Sequence, residues 1–307
     1  MEAPAIEIEG LRKEYRRLRG GRTVAVDGLN LTVPQGGVFG FLGPNGAGKT
    51  TTIRSLLGLI RLTAGRCRIL GTDVGRDLPR VIDEIGALVE GPGLVPGLTG
   101  RRNLEVLAVA RRVAPRRVDQ VLDQVGLTER AKDPVRTYSM GMRQRLGVAV
   151  ALLKDPRLLI LDEPSNGLDP AGIKEIRALL RQLGSEGRTV FLSSHLLAEV
   201  EQICDQVAII TAGRCLTQGP VGDVLAYRGT QGIVIKLRDG ASGMAVLTAA
   251  GIPVTVAGET LRVGLPPAES ERVMKTLVDA GLIPYELRPE DVTLETVFLR
   301  LTGEEET

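Results

Sequence analysis

Residues 38–51 read Val38-Phe39-Gly40-Phe41-Leu42-Gly43-Pro44-Asn45-Gly46-Ala47-Gly48-Lys49-Thr50-Thr51, an apolar run, a glycine-rich loop and the start of a helix. After it, Ile53, Leu56, Leu57 and Ile60 fall in helical register. Strand, Gly-x-x-x-x-Gly-Lys-Thr loop and helix in this order form a phosphate-binding loop. Gly43, Gly46 and Gly48 let the backbone curl with its N–H groups inward. Those donors and the positive end of the helix suit a polyphosphate. Lys49 is expected to reach the β- and γ-phosphates of a nucleoside triphosphate, and the Thr50 hydroxyl to ligate Mg²⁺.

Upstream, Ile6 to Leu11 alternates apolar and charged residues, and Leu29, Leu31 and Val33 alternate again. Tyr15 lies in the Arg-rich stretch between them, near Gly20-Gly21, and Pro34 to Gly37 turns the chain into the loop's strand. An antiparallel start flanking a parallel sheet is the expected arrangement. From about residue 83 to residue 145 the pattern reads as a mainly helical insertion, with Leu104, Leu107 and Ala108 on one helix and Val118, Val121 and Leu122 on another.

Downstream, Leu158-Leu159-Ile160-Leu161 is apolar without alternation, which suits a strand buried on both faces. It ends in Asp162-Glu163, and two carboxylates there are costly unless they meet a metal, water or ligand. Asp162 is placed to hold Mg²⁺, and Glu163 to polarise a water for attack on the γ-phosphate. Asp169-Pro170 reads as a helix N-cap followed by proline at the first helical position, and Ser139 also as a cap. His195, after the strand Thr189–Ser194, is open to two readings, a satisfied core histidine or a γ-phosphate contact.

The chain has 307 residues, which suits one large domain and a small one. A net charge of +2, with four Phe, four Tyr and no Trp, gives no bulk field or stacking surface for nucleic acid. Cys67, Cys204 and Cys215 form no Cys-x-x-Cys, and with one histidine in the chain a zinc site is not expected. No apolar run nears the roughly 18 residues of a spanning helix, and Met1-Glu2-Ala3-Pro4 does not read as a secretory signal, so the expectation is a soluble chain. Beyond about residue 228, strands at Ile233–Ile235, Val254–Val256, Leu261–Val263 and Ile283–Leu287 with intervening helices read as a small α+β domain, residues 229–307.

The order of landmarks resembles the ATP-binding subunit of an ABC transporter over nearly all of residues 5–225. Gly43–Thr51 precedes a helical insertion, Ser139-Met140-Gly141-Met142-Arg143-Gln144 lies just upstream of the strand ending Asp162-Glu163, and Asn166 to Asp169 and His195 follow. The resemblance implies an α/β P-loop NTPase core with a mixed, mainly parallel sheet, an antiparallel β subdomain and a helical insertion. It implies Mg-dependent ATP hydrolysis that drives a separate transmembrane permease. It also implies that Tyr15 stacks on adenine, where a plain surface Tyr is the other reading. Ser139 and Gly141 would meet the γ-phosphate held by a second ATP-binding subunit, most simply an identical copy. Asp169 would cross that dimer interface, His195 would act as the switch residue, and the residues from Gly43 through Pro44, Asn45, Gly46, Ala47, Gly48, Lys49 and Thr50 to Thr51 would hold ATP.

Two departures stand out. Glu90 occupies the position where the family usually has a Gln that touches Mg²⁺ or the attacking water; a surface loop Glu is the alternative. Met140 and Met142 replace a Gly and the Gln of the usual signature. Both variants, and the end Leu294–Gly303, resemble the drug- and antibiotic-resistance exporter branch, whose subunits sit on the cytoplasmic face of the membrane through their permease. The rival reading is a soluble ABC-type ATPase acting on ribosomes or nucleic acid without a permease. One phosphate loop, and no sustained heptads in the insertion, stand against it.

Overall fold

A computed structural model describes residues 3–16, 20–91, 93–226, 232–257, 259–290 and 293–302. The chain divides into two compact units, Met1–Val221 and Gly222–Thr307. In the first, β1 (Ile6–Arg16) and β2 (Arg22–Val33) form an antiparallel hairpin, joined by β4 (Ala64–Ile69) and β5 (Thr72–Asp73) in the order β2-β1-β4-β5. A second sheet contains β3 (Gly37–Leu42), β6 (Ile85–Leu88), β7 (Leu158–Asp162), β8 (Thr189–Ser194), β9 (Gln206–Thr211) and β10 (Arg214–Pro220). Its order is β10-β9-β3-β8-β7-β6, parallel except for the hairpin strand β10.

β3, β7 and β8 are buried along almost their whole length, as strands covered on both faces must be. Their middle is aromatic: the Phe191 ring lies 5.3 Å from Phe41 and 5.9 Å from Phe39, centroid to centroid. Covering helices of this unit are α1 (Lys49–Leu56), α2 (Val74–Asp77), α3 (Gly100–Ala110), α4 (Arg116–Gln124), α5 (Met140–Leu152), α6 (Pro170–Ser185) and α7 (Leu197–Glu201). The division between units falls within α8 (Val221–Ala226).

Three sequence expectations need correction. The helical register after the glycine loop stops early: α1 ends at Leu56, and Ile60 lies outside it. Gly58, at φ 66, closes the helix with its N–H on Ser55 and that of Leu59 on Arg54, the paired bonds of a left-handed cap. The stretch expected to be helical from residue 83 opens instead with β6, the edge strand of the parallel sheet. This strand has four residues, one of them Gly86, so its local β signal is weak; a Cβ there would sit 2.4 Å from the Ala151 carbonyl of α5.

The third correction is in the C-terminal unit. The strand expected at Ile283–Leu287 is β14, Glu286–Pro289, and Ile283 is 79% exposed. Pairing sets this register: Glu286 lies opposite Lys236, with an ion pair of 2.7 Å, and Leu287 lies opposite Ile235. With β11 (Ile233–Lys236), α9 (Gly240–Ala249), β12 (Val254–Ala257), β13 (Thr260–Val263) and α10 (Ser270–Asp279), the unit runs β-α-β-β-α-β. Its sheet order β12-β13-β11-β14 is antiparallel throughout, an arrangement of ferredoxin-like type. It has its own core, including Ile233, Ile235, Leu247, Leu261 and Leu277, and α11 (Leu294–Thr302) follows. Of the boundary expected near residue 228, residues 227–231 lie outside the described residues, as do Gly303 and the acidic residues 304–306. Among the described residues no helix is long and apolar enough to cross a membrane.

Candidate functional site

The glycine loop hangs between the carboxyl end of β3 and the start of α1, and each glycine has its own reason. A Cβ on Gly43 would lie 2.3 Å from the Ile210 carbonyl of β9, so this position is fixed by close packing. Gly48, at φ 102, is left-handed, and a Cβ there would also lie 2.6 Å from the Ala25 carbonyl of β2. The amides of Gly46 and Gly48 find no acceptor among the described residues. They are free donors beside the N-terminus of a helix.

Lys49 opens that helix and is only 6% exposed. Its Nζ donates to the carbonyls of Gly43 (2.7 Å) and Pro44 (3.3 Å), and stands 3.1 Å from Glu163 Oε1. The other oxygen, Oε2, lies 2.8 Å from His195 Nδ1. An ionised carboxylate only accepts, so the Nδ1 proton donates. Lys49, Glu163 and His195 therefore form one continuous polar line from the glycine loop to the end of β8. The His195 side chain is 31% exposed, with Glu163 as its partner.

β7 and β8 pair in parallel with Asp162 opposite Ser193, and that register builds the rest of the acidic pair. Ser193 is fully buried; its hydroxyl donates to Asp162 Oδ1 (2.6 Å) and accepts from the Glu163 amide (2.9 Å). One side chain thereby orients both acids, and Glu163 is held at φ 50. Sequence reading passed over Ser193 because a serine in an apolar strand carries no signal until its cross-strand neighbour is known. Ser193→Ala orphans the Glu163 amide and a carboxylate oxygen, so a loss of about 1–3 kcal/mol is expected in urea unfolding, with Ser193→Thr recovering part of it.

The donor set suits Mg²⁺. Asp162 Oδ2 and the Thr50 hydroxyl have no partner among the described residues, and both are hard oxygens. No three metal-ligating acid, His or Cys side chains cluster among the described residues. Mg²⁺ needs none, since it binds through one or two carboxylates together with substrate phosphates and water.

A cavity of about 500 Å³ brings Glu90, Leu94, Met140, Asp162, Glu163 and Asn166 to one place. Glu90 sits at φ 59 after β6, and its carboxylate is ion-paired with Arg54 in the last turn of α1. Glu90 lines the same cavity as the acids, but its side chain is 66% exposed and held by Arg54, a guanidinium partner that its sequence neighbourhood did not indicate.

Ser139 caps α5, its Oγ accepting from the Met142 amide at 3.2 Å. Gly141 is buried, with Gly172 Cα of α6 3.6 Å from where its Cβ would be. The Met140 sulfur lies 3.0 Å from the Cβ position of Gly167, so the first turn of α5 rests on the loop that leads into α6. Asp169 caps α6, accepting from the Gly172 amide at 3.0 Å. Within one chain no hydrogen bond joins Ser139 or Asp169 to Lys49 or Glu163. Tyr15 is 38% exposed with the Lys13 ammonium 4.8 Å from its ring centre, and pairs with Thr23, two residues before the Ala25 carbonyl that crowds Gly48.

Residues 26–166 match the protein family described as ABC transporter. The chain is 40% identical to the bacitracin transport ATP-binding protein BcrA of Bacillus licheniformis, over 97% of each chain. It is 37% identical to the daunorubicin resistance ATP-binding protein DrrA3 of Streptomyces coeruleorubidus, over 99% of this chain and 98% of that one. Among solved structures it is similar to cbiO1 of Clostridium perfringens, part of the ABC transporter complex cbiONQ, with a TM-score of 0.66 and 29% identity over 73% of this chain and 92% of that one.

Proposed function

This chain belongs to the ABC transporter family as an ATP-binding subunit with ATPase activity, and from there we propose that it powers a separate permease exporting a drug, antibiotic or lipid-like substrate. The single observation that carries the catalytic part is the Lys49–Glu163–His195 line beside the glycine loop. For the substrate class, the support is full-length similarity to relatives named for bacitracin transport and daunorubicin resistance. We assign residues 1–228 to ATP binding and 229–307 to an accessory role, because every candidate site residue lies at or before His195.

The free loop amides and Lys49 take the β- and γ-phosphates, with the remaining residues of Gly43–Thr51 shaping the cradle. Thr50 and Asp162 would hold Mg²⁺, which would supply neutralisation of the phosphate charge. Glu163 orients a water and accepts its proton as the water oxygen bonds to the γ-phosphorus and ADP departs. His195 fixes the Glu163 carboxylate and contacts the γ-phosphate. Glu90 would exchange Arg54 for the attacking water or serve as a further oxygen ligand. Tyr15 stacks on the adenine. Ser139, Gly141 and Asp169 serve the nucleotide of a second, identical copy, and this explains why they are apart from Lys49 within one chain.

The permease gives the protein its place on the cytoplasmic face of the membrane. Isolation from gently solubilised membranes tests this: a co-purifying polytopic chain is the expected result. Recovery only as a free or ribosome-bound ATPase would overturn the transport reading while leaving ATP hydrolysis intact.

A further inference from the structure

A cleft of about 950 Å³ opens in the N-terminal unit between the end of α3, the start of α4 and the segment after α5. Five cationic side chains line it, Arg111, Arg112, Arg116, Arg117 and Lys154, against two carboxylates, Asp83 and Asp155. Both carboxylates are already engaged. Asp83 pairs with Lys154, and Asp155 pairs with Arg188 (2.8 Å) and Arg117 (2.9 Å). The Arg188 hydrogen bond, chiefly, holds the Asp155 carboxyl below the usual carboxylate range.

Two of the arginines also serve the end of α5. Arg111 donates to the Val150 carbonyl (3.1 Å) and Arg117 to that of Leu152 (2.9 Å), as cations near a helix C-terminus do. Arg112 and Arg116 are left exposed, with no partner among the described residues. Arg117 Nε is buried with no acceptor. Arg112 is held at φ 57, a conformation uncommon for a side-chain-bearing residue. A solvated surface would leave these arginines wet and mixed with acids. Here the nearby acids are neutralised, and the excess positive charge is gathered in one concavity.

We propose that this cleft binds an anion bearing clustered phosphate charge, either free or presented by a lipid headgroup. Guanidinium forks match phosphate oxygens in pairs. Val106 and Val109, three residues apart on α3, are 50% and 79% exposed just before the cleft begins at Ala110, and give a lipid source an apolar foothold. No lining residue belongs to the glycine loop or to the Asp162–Glu163 pair, so the cleft stands independently of the ATPase assignment.

The test uses the full-length protein and the double variant Arg112→Glu/Arg116→Glu, with Arg112→Lys as a charge-preserving control. One arm measures cosedimentation with phosphatidylcholine vesicles containing roughly one third phosphatidylglycerol. The other titrates inorganic pyrophosphate calorimetrically into ADP-saturated protein. Weakening by about tenfold or more in the vesicle arm, with Arg112→Lys weakened less than the double variant, supports a headgroup. The same loss confined to pyrophosphate supports a free anion. ATP turnover within about twofold of wild type certifies the fold, since each tenfold would correspond to a full 1.4 kcal/mol change. Binding by the double variant equal to wild type in both arms, or no binding by wild type in either, overturns the proposal.

Discussion

Glu163→Gln is expected to lower ATP turnover by about 10²–10⁴-fold while leaving ATP bound. The carboxamide keeps the size and shape of the side chain, so the Ser193 hydrogen bond to the backbone amide at this position is untouched. What disappears is the proton acceptor and the negative charge 3.1 Å from Lys49. Losing the acceptor stalls attack by water. Losing the charge frees the ammonium for phosphate, so ATP affinity should hold or rise. The two effects together predict accumulation of an ATP-bound dimer, read as a shift in size-exclusion elution with ATP and its absence with ADP. Phosphate release at the wild-type rate in the same variant would remove Glu163 from the chemistry.

Lys49→Ala is expected to weaken ATP binding by about 10–150-fold, the range for one charge-assisted hydrogen bond of about 1.5–3 kcal/mol. Lys49 is buried, and its ammonium satisfies two loop carbonyls and one carboxylate at once. Truncation therefore removes the phosphate partner and also orphans Gly43 and Pro44, both part of the cradle itself. Equilibrium binding of a fluorescent ATP analogue reads the first loss and thermal unfolding reads the second. Affinity unchanged with a lowered melting temperature would make Lys49 a brace for the loop and nothing more. Lys49→Arg should not rescue, because a planar fork cannot reproduce a point charge enclosed on three sides.

What the sequence made legible is local. The glycine loop, the caps at Ser139 and Asp169, and the apolar run ending in Asp162-Glu163 each declare themselves within a few residues. What it concealed depends on partners brought from elsewhere in the chain. Ser193 matters because β7 and β8 pair in one register, and Arg54 meets Glu90 because α1 ends beside the segment after β6. β6 itself becomes a strand through β7 at its side and α5 on its face, although its four residues include a glycine. The shift of the final strand from Ile283–Leu287 to Glu286–Pro289 has the same origin, since the paired strand β11 and the Lys236–Glu286 ion pair choose it. Similarly, Ser139 and Asp169 read as caps, and caps they are. A helix-capping hydroxyl or carboxylate says nothing by itself of a second chain.

The threading of the central sheet also bears on how the protein is made. β3 carries the glycine loop, yet its two neighbours, β8 and β9, leave the ribosome long after it. On a nascent chain β3 has no lateral partner, and closing so long a loop makes the pairing slow. Phe39 and Phe41 lack their aromatic neighbour until Phe191 is synthesised. The C-terminal unit, by contrast, closes every one of its strand pairs between Ile233 and Pro289, over shorter stretches of chain than β3 needs. Biosynthesis thus leaves β3, an early strand, to find its sheet partners among the last.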